Sequence, residues 1–170
     1  ITHVINAAVE IPNYHEADCL IYLHLSLEDS ADDDIAAEFD RCCAFIDEAK
    51  ASGGKVLVHC QAGVSRSATI ILAYLMRVEG LSLREAFLHV KGRRENAGPN
   101  EHFWRTLIAL EDSLRPEGER GAPPSLDMEE YYIGTLVDMG FGQEVAARAI
   151  QNAGGSFNLA LNMCLANADA

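Results

Sequence analysis

One stretch, residues 55–76, limits what this chain can fold into more than any other. It reads KVLVHCQAGVSRSATIILAYLM. An apolar run with β-forming residues is followed by a short loop and then by an apolar run long enough for a buried helix. The order of strand, tight loop and helix predicts an α/β fold with a mostly parallel central sheet flanked by helices.

The loop of this stretch, HCQAGVSRS at residues 59–67, has the features of an anion-binding site. The first backbone N–H groups of a helix lack intrahelical partners, and the helix dipole adds partial positive charge there. Gly63 allows the backbone to turn. Arg66 follows Cys60 by six positions, at the helix entrance, where its guanidinium fork can bind two oxygens of a phosphate.

Cys60 lies at the base of the same loop. A free thiol has a pKa of about 8.5, and a helix N-terminus with a nearby cation lowers it enough to produce a thiolate nucleophile at neutral pH. The alternative is a buried core cysteine beside a solvated arginine. We favour nucleophilic attack on phosphorus because His59, Gly63 and Ser67 occur together with Cys60 and Arg66 between a strand and a helix.

This stretch resembles the HCxxGxxR signature of cysteine-dependent phosphatases, and its SRS ending followed by AYLM is similar to the dual-specificity branch. The resemblance implies that Cys60 is the nucleophile. We expect His59 to orient the loop from behind Cys60, and Ser67 either to hydrogen-bond the thiolate and ease its departure or to be an ordinary helix-start hydroxyl. The implied phosphate-binding loop consists of His59, Gln61, Ala62, Gly63, Val64, Ser65 and Arg66.

The acidic segment EDSADDD, residues 28–34, is expected to supply a general acid. A thiolate phosphatase needs an acid on a mobile loop to protonate the leaving oxygen. Asp29 is the candidate because the segment resembles the dual-specificity pattern, and Asp32 is the alternative. Asp32, Asp33 and Asp34 are also explained as a solvated loop that caps the next helix.

The remaining pattern of the first part predicts two more strands and four helices. The strands are THVINAAV (2–9) and LIYLHLSL (20–27), with apolar residues on both faces and with His24 as a hydrogen-bonded core histidine. The helices cover residues 34–50, 67–79, about 82–91 with a capping box from Ser82 to Glu85, and 101–114 after an Asn100 cap.

The turn KGRRENAGPN, residues 91–100, contains the only adjacent arginines of the chain. Arg93 and Arg94 either complement the end of the preceding helix or attract an acidic phosphopeptide. The string is similar to the RR...PN segment of the family, in which the asparagine fixes the phosphate loop. Asn100 is therefore a candidate supporting residue, although N-capping of the next helix also explains it.

Composition restricts the partners. The net charge of −13 disfavours nucleic acid and anionic membrane. The five cysteines are odd in number and lack CxxC spacing, which argues for a reducing compartment. We expect no metal and no cofactor. Because no export leader opens the sequence, we expect the protein in the cytoplasm, with the nucleus as a second compartment.

Residues 115–126, RPEGERGAPPSL, read as a linker rich in charge, glycine and proline. Three short helices follow, near residues 128–139, 143–152 and 156–165. They could form a helical cap, but LVDMGF...AARAI...GGSFNLALNMCL resembles the ubiquitin-associated domain. The resemblance implies an apolar ubiquitin-binding surface formed by Met139, Gly140, Phe141 and Leu165; related modules bind other partners or none.

The resemblances imply a dual-specificity catalytic domain at residues 1–114, a linker at 115–126 and a small three-helix domain at 127–170. Family members carry a further strand and helix before the stretch like ITHVIN, so we expect a chain that begins within the fold. The implied function is hydrolysis of phosphotyrosine and phosphoserine or phosphothreonine in proteins, a signalling kinase among the candidate substrates, with ubiquitin as a second partner. The alternatives are a catalytically weak adaptor and a phosphatase of non-protein phosphates.

Overall fold

Three short parallel strands form the centre of the first part of the chain. They are β1 (His3–Asn6), β2 (Ile21–His24) and β3 (Val56–His59), in the order β2-β1-β3. Asn6 at the end of β1 is aligned with His24 on one side and with His59 on the other. The carboxyl ends of all three strands therefore meet at one edge of the sheet, and the loops that carry functional side chains leave from that edge.

The computed structural model describes residues 1–168, and the chain divides into two compact units, Ile1–Pro124 and Ser125–Ala170. The parallel sheet is confirmed, but its strands are shorter than predicted. The residues of β1 are buried on both faces of the sheet, as predicted. On the two outer strands, Ile21 and Leu57 are exposed. The prediction of a core histidine at position 24 is wrong: His24 is exposed, and its Nε2 contacts the carbonyl of Ala8 at 3.1 Å.

The first unit has four α-helices: α1 (Phe39–Ala51), α2 (Arg66–Arg77), α3 (Leu83–Lys91) and α4 (Glu101–Leu114). The helices α1 and α2 pack against the sheet, and α3 and α4 pack against α2. The helix predicted from residue 34 begins as a 3-10 turn, Ile35–Glu38, and becomes α-helical only at Phe39. The apolar side chains of this segment are buried at Ile35, Phe39, Cys42, Ile46 and Ala49, and Cys43 is half-buried. Among residues 1–168, none of the helices combines the length and the apolar character that crossing a membrane requires.

Side-chain caps fix the starts of α3 and α4 as the sequence predicts. Ser82 and Glu85 form the complete capping box, in which each side chain bonds the backbone of the other. Asn100 accepts a hydrogen bond from the backbone N–H of Phe103. The helix α4 packs against α2, with Phe103, Trp104 and Leu107 buried in the core of the unit.

The segment after α4 contains a 3-10 turn, Glu117–Glu119, and is held to the end of that helix. Arg115 donates to the carbonyls of Ala122 and Pro123 at 2.6 and 2.8 Å. The backbone N–H of Gly121 donates to Asp112 at 2.6 Å. Residues 115–123 are therefore ordered by specific contacts despite their glycine and proline content.

The second unit is a bundle of three short helices, α5 (Met128–Asp138), α6 (Gln143–Asn152) and α7 (Phe157–Ala168). Asp127 caps α5 by accepting from the N–H groups of Glu129 and Glu130. The core is small and consists of Leu136, Ala146, Ala149, Ile150, Ala153, Ala160 and Cys164. Each of the three helices contributes to this core.

Candidate active site

The loop between β3 and α2 forms a cradle whose backbone N–H groups converge on one sulfur atom. β3 ends at His59, α2 begins at Arg66, and Gly63 turns the chain with φ +65°. Cys60 is 7% exposed at the base of this loop. The loop residues Gln61 and Ala62 are exposed, and Ser65, Arg66 and Ser67 are buried.

Cys60 is held as an acidic thiol. Burial by itself raises the pKa of a thiol, but hydrogen bonds from Ser67 Oγ and from the backbone N–H groups of Ser67, Gly63 and Val64 outweigh it, so the pKa of Cys60 lies below its ordinary value. Ser67 Oγ lies 3.3 Å from Cys60 Sγ. His59 Nδ1 lies 3.4 Å from the carbonyl oxygen of Cys60, on the backbone rather than the thiol. The geometry favours a thiolate that needs no adjacent base.

Arg66 enters the same site from the first turn of α2, with its side chain 4% exposed. The Nη1 and Nη2 atoms donate to the two carboxylate oxygens of Glu10 at 2.8 and 2.6 Å. Nη1 also donates to the backbone carbonyl of Leu27 at 2.8 Å. The Nε of Arg66 is buried and has no hydrogen-bond partner among the residues that the structure describes.

Glu10 is a residue of the site that the sequence analysis did not identify. Hydrogen bonds from Arg66 lower the pKa of Glu10 to about 2 from its ordinary 4.5, and the Glu10 carboxylate in turn raises the pKa of Arg66. Glu10 lies in the loop after β1, the strand paired with β3. That adjacency could have been a signal, because loops that leave neighbouring parallel strands meet at the same edge.

Asp29 is joined to the loop through Ser65 and Asn100. Ser65 Oγ and Asn100 Nδ2 each donate to Oδ1 of Asp29 at 2.7 Å. The backbone N–H of Asn100 donates to Ser65 Oγ at 3.0 Å, which closes the network. In the described part of the chain, no hydrogen bond links the alternative candidate, Asp32, to this loop. Ser65 was predicted only as a loop residue, so its role as the link was missed.

Arg94 braces the outer side of the loop. Its Nε donates to the carbonyl of Gly63 at 2.5 Å and its Nη2 to that of Ala62 at 2.9 Å. Arg93 donates to the carbonyl of His89 in the last turn of α3. The predicted helix-end contact holds for Arg93, whereas Arg94 contacts the loop carbonyls instead. Attraction of an acidic phosphopeptide by the two arginines stays a prediction.

A cavity of about 560 Å³ lies against the loop. Its walls combine loop atoms from Cys60 to Gly63 with apolar side chains of β3 and α2, including Leu57, Ile71 and Leu75. Arg93 and Arg94 also line it. The cradle thus adjoins an open, largely apolar space.

The remaining predicted site residues lie in the second unit. Met139 follows α5 and is 53% exposed, and Leu165 on α7 is 49% exposed. Gly140 adopts φ +100°, a conformation that favours glycine. Phe141 is half-buried against the core of the bundle. Two of the four predicted residues therefore present apolar side chains to solvent.

Comparison with known proteins assigns the first unit to a protein family. Residues 1–113 match the family described as dual specificity phosphatase, catalytic domain. The chain belongs to this family. Residues 128–163 match the family described as UBA/TS-N domain. The order of the two resemblances read from the sequence is confirmed.

Curated relatives match the phosphatase domain. The chain is 42% identical to dual specificity protein phosphatase Mpk3 of Drosophila melanogaster over 116 residues, which are 68% of this chain and 28% of that protein. It is 44% identical to dual specificity protein phosphatase 1 of Arabidopsis thaliana over 115 residues, 68% of this chain and 58% of that protein. The chain thus spans less than two thirds of either relative.

Solved structures identify the fold as that of cysteine phosphatases. Human DUSP28 matches with a TM-score of 0.65 and 36% identity, covering 68% of this chain and 78% of that one. A mouse putative dual specificity phosphatase complexed with zinc tungstate matches with a TM-score of 0.65 and 34% identity, covering 72% and 77%. The predicted α/β fold with a C-terminal helical bundle is confirmed.

Proposed function

We propose that the chain is a protein phosphatase that hydrolyses phosphotyrosine and phosphoserine or phosphothreonine through a phosphocysteine intermediate. The single observation that supports this most strongly is the acidic thiol of Cys60, surrounded by the N–H groups of Gly63, Val64 and Ser67. The same donors that stabilise a thiolate are placed to stabilise the oxygens of a transferring phosphoryl group.

In the proposed first step, the Cys60 thiolate attacks phosphorus and the bond to the leaving oxygen breaks. Arg66 and the loop N–H groups hold the equatorial oxygens, and Asp29 gives its proton to the leaving oxygen. Ser65 and Asn100 both donate to Oδ1 of Asp29, which leaves Oδ2 to carry that proton. Positioning and electrostatic stabilisation supply most of the acceleration.

In the second step, Asp29 accepts a proton from a water molecule, whose oxygen attacks phosphorus while the bond to Cys60 Sγ breaks. Inorganic phosphate and the thiolate result. Ser67 Oγ, at 3.3 Å, stabilises the departing sulfur as its negative charge returns. The two steps together consume one water and regenerate the Cys60 thiolate and the protonated Asp29.

Hydrolysis of an aryl phosphate by the wild-type chain and by Cys60→Ser tests the proposed chemistry. We expect turnover by the wild type and background rates for Cys60→Ser. Equal background rates would refute the proposal that the chain is an enzyme and would leave a phosphoprotein-binding adaptor.

The substrate is identified in a separate experiment, in which Cys60→Ser traps phosphoproteins and the bound phosphosites are determined. A signalling kinase is the candidate substrate. Enrichment of lipid or sugar phosphates would instead show that the substrate is not a protein.

Substrates of different leaving-group pKa test the acid. Asp29→Asn should lower the rate on an alkyl phosphate by about 10² or more, because the loss of a positioned acid costs that much, and should affect an activated aryl phosphate far less. Asp32→Asn is the matched control, since Asp32 lies in the same acidic segment. If Asp29→Asn hydrolyses the alkyl phosphate at the wild-type rate, or if Asp32→Asn loses as much activity, Asp29 is not the general acid.

We also propose that the second unit binds ubiquitin through Met139, Gly140, Phe141 and Leu165. Its support is the match to the UBA/TS-N family and the exposure of Met139 and Leu165. Titrating the isotope-labelled full chain with ubiquitin should shift the amide signals of Gly140 and Phe141, and Met139→Ala should weaken binding. Unmoved signals would refute ubiquitin binding.

We propose the catalytic domain at residues 1–114, the linker at 115–126 and the small domain at 127–170. The break between compact units at Pro124 and the family matches ending at 113 and beginning at 128 support these boundaries. We place the protein in the cytoplasm or nucleus, since all five cysteines are free and an ionised Cys60 requires reducing conditions.

A further inference from the structure

The guanidinium of Arg66 is held from outside the phosphate loop by two acceptors. Glu10 accepts from Nη1 at 2.8 Å and from Nη2 at 2.6 Å, so its carboxylate covers the end of the fork. The carbonyl of Leu27 accepts the second N–H of Nη1 at 2.8 Å. Three of the five N–H donors of the side chain are therefore engaged by residues outside the loop.

The two remaining donors point the same way. A guanidinium is planar, and the N–H of Nε lies on one edge with the second N–H of Nη2. Nε is buried and finds no acceptor within residues 1–168, which is costly unless a ligand supplies one. A phosphate oxygen pair fits this edge, because parallel N–H donors bind oxyanions in a bidentate manner.

The loop that carries Glu10 is itself fixed. Asn6, fully buried at the end of β1, donates through Nδ2 to the carbonyl of Ile11 at 2.6 Å and to Oδ1 of Asn13 at 3.0 Å. Asn6 Oδ1 accepts from the backbone N–H of Ala8 at 3.3 Å. These bonds span Glu10 on both sides, so its position is set by the sheet rather than by Arg66 alone.

We propose that Glu10 is a positioning residue that sets the rotation of the Arg66 guanidinium, so that the edge formed by Nε and Nη2 faces the phosphate. This inference deepens the proposed function, on which it rests. A carboxylate that instead competed with phosphate for Arg66 would occupy the edge that phosphate needs, whereas Glu10 occupies the end of the fork and leaves that edge free.

Tungstate, a phosphate mimic, provides the test through isothermal titration calorimetry on the full chain. We expect Glu10→Gln to weaken tungstate binding by about tenfold, because the amide cannot accept from both Nη atoms. Glu79→Gln is the matched control, since Glu79 pairs with Lys50 on an exposed surface, and we expect it to bind tungstate like the wild type. Unchanged or tighter binding by Glu10→Gln would overturn the proposal, and tighter binding would identify Glu10 as a competitor.

A double-mutant comparison separates positioning from general stability. Arg66→Lys lacks the planar fork, so adding Glu10→Gln to it should change tungstate affinity less than twofold; a further tenfold loss would contradict the proposal. Glu10→Asp keeps the charge but withdraws the carboxylate by one methylene, and should lose affinity as Glu10→Gln does. Wild-type affinity in Glu10→Asp, or failure of both Glu10 variants to fold, would overturn the role.

The two proposals fail separately. If the wild-type chain binds tungstate but does not hydrolyse an aryl phosphate, the proposed phosphatase activity is refuted. The tungstate affinities of the Glu10 variants would still decide whether Glu10 positions Arg66. A wild-type chain that hydrolyses the ester while Glu10→Gln retains both tungstate affinity and kcat/KM would refute the positioning role alone.

Discussion

Replacing Ser67 with alanine removes one defined hydrogen bond from the Cys60 sulfur. Ser67 Oγ lies 3.3 Å from Sγ, while the backbone N–H groups of Gly63, Val64 and residue 67 stay in place. A hydrogen bond to a charged group contributes roughly 1.5–3 kcal/mol, and 1.36 kcal/mol corresponds to one pKa unit. Ser67→Ala should therefore raise the pKa of Cys60 by about one to two.

The pH dependence of Cys60 alkylation measures this change directly. Iodoacetamide modifies the thiolate, and mass spectrometry of the peptide that contains Cys60 separates its reaction from that of exposed Cys19. The midpoint of the alkylation profile should move to higher pH in Ser67→Ala. Ser113→Ala is the matched control, because Ser113 Oγ donates to the carbonyl of Leu110, away from the site.

The same variant should also slow the second step of turnover. A thiol with a higher pKa is a poorer leaving group, so phosphocysteine should accumulate and the first turnover should appear as a burst equal to the enzyme concentration. Superimposable alkylation profiles for the wild type and Ser67→Ala would refute the reasoning, because they would show that the backbone donors alone set the acidity of Cys60.

Three further predictions concern other parts of the molecule. Because Arg66 depresses the pKa of Glu10 to about 2 from 4.5, the pair should stabilise the fold fully above pH 4.5 and lose that contribution as the pH falls toward 2. The difference in thermal midpoint between the wild type and Glu10→Gln should shrink as the pH falls from 4.5 toward 2. A difference that does not change with pH would contradict this contribution of the Glu10–Arg66 pair. Gly63→Ala should reduce kcat/KM by more than about tenfold, because φ is +65° and a Cβ would lie 2.6 Å from Arg94 Nη2; wild-type kinetics would show that the loop tolerates the change. Leu136→Ala should cost the small bundle about 2–5 kcal/mol, comparable to its whole stability. Limited proteolysis should then cut residues 128–166 while aryl phosphate hydrolysis persists, and equal resistance to cleavage would refute the estimate.

Local signals explain why much of the fold could be predicted from the sequence. The capping box at Ser82 and Glu85 and the cap at Asn100 depend on residues three positions apart, so their chemistry is visible in the sequence. Element boundaries were harder to predict. The helix predicted from residue 34 starts with a 3-10 turn, and the exposure of His24 depends on what covers β2, which a strand pattern does not reveal.

The sequence by itself determined which loop is proposed to bind the phosphate. Cys60, Gly63 and Arg66 are within seven residues, and the strand before them and the helix after them place the thiol among unpaired N–H groups. Only the tertiary structure decided how that loop is held. Glu10 and Asp29 reach it from 56 and 36 residues away in the chain. Their contacts arise because parallel strands bring the loops after β1 and β2 to the edge where β3 delivers Cys60, and such long-range pairings depend on the packed sheet rather than on any local pattern.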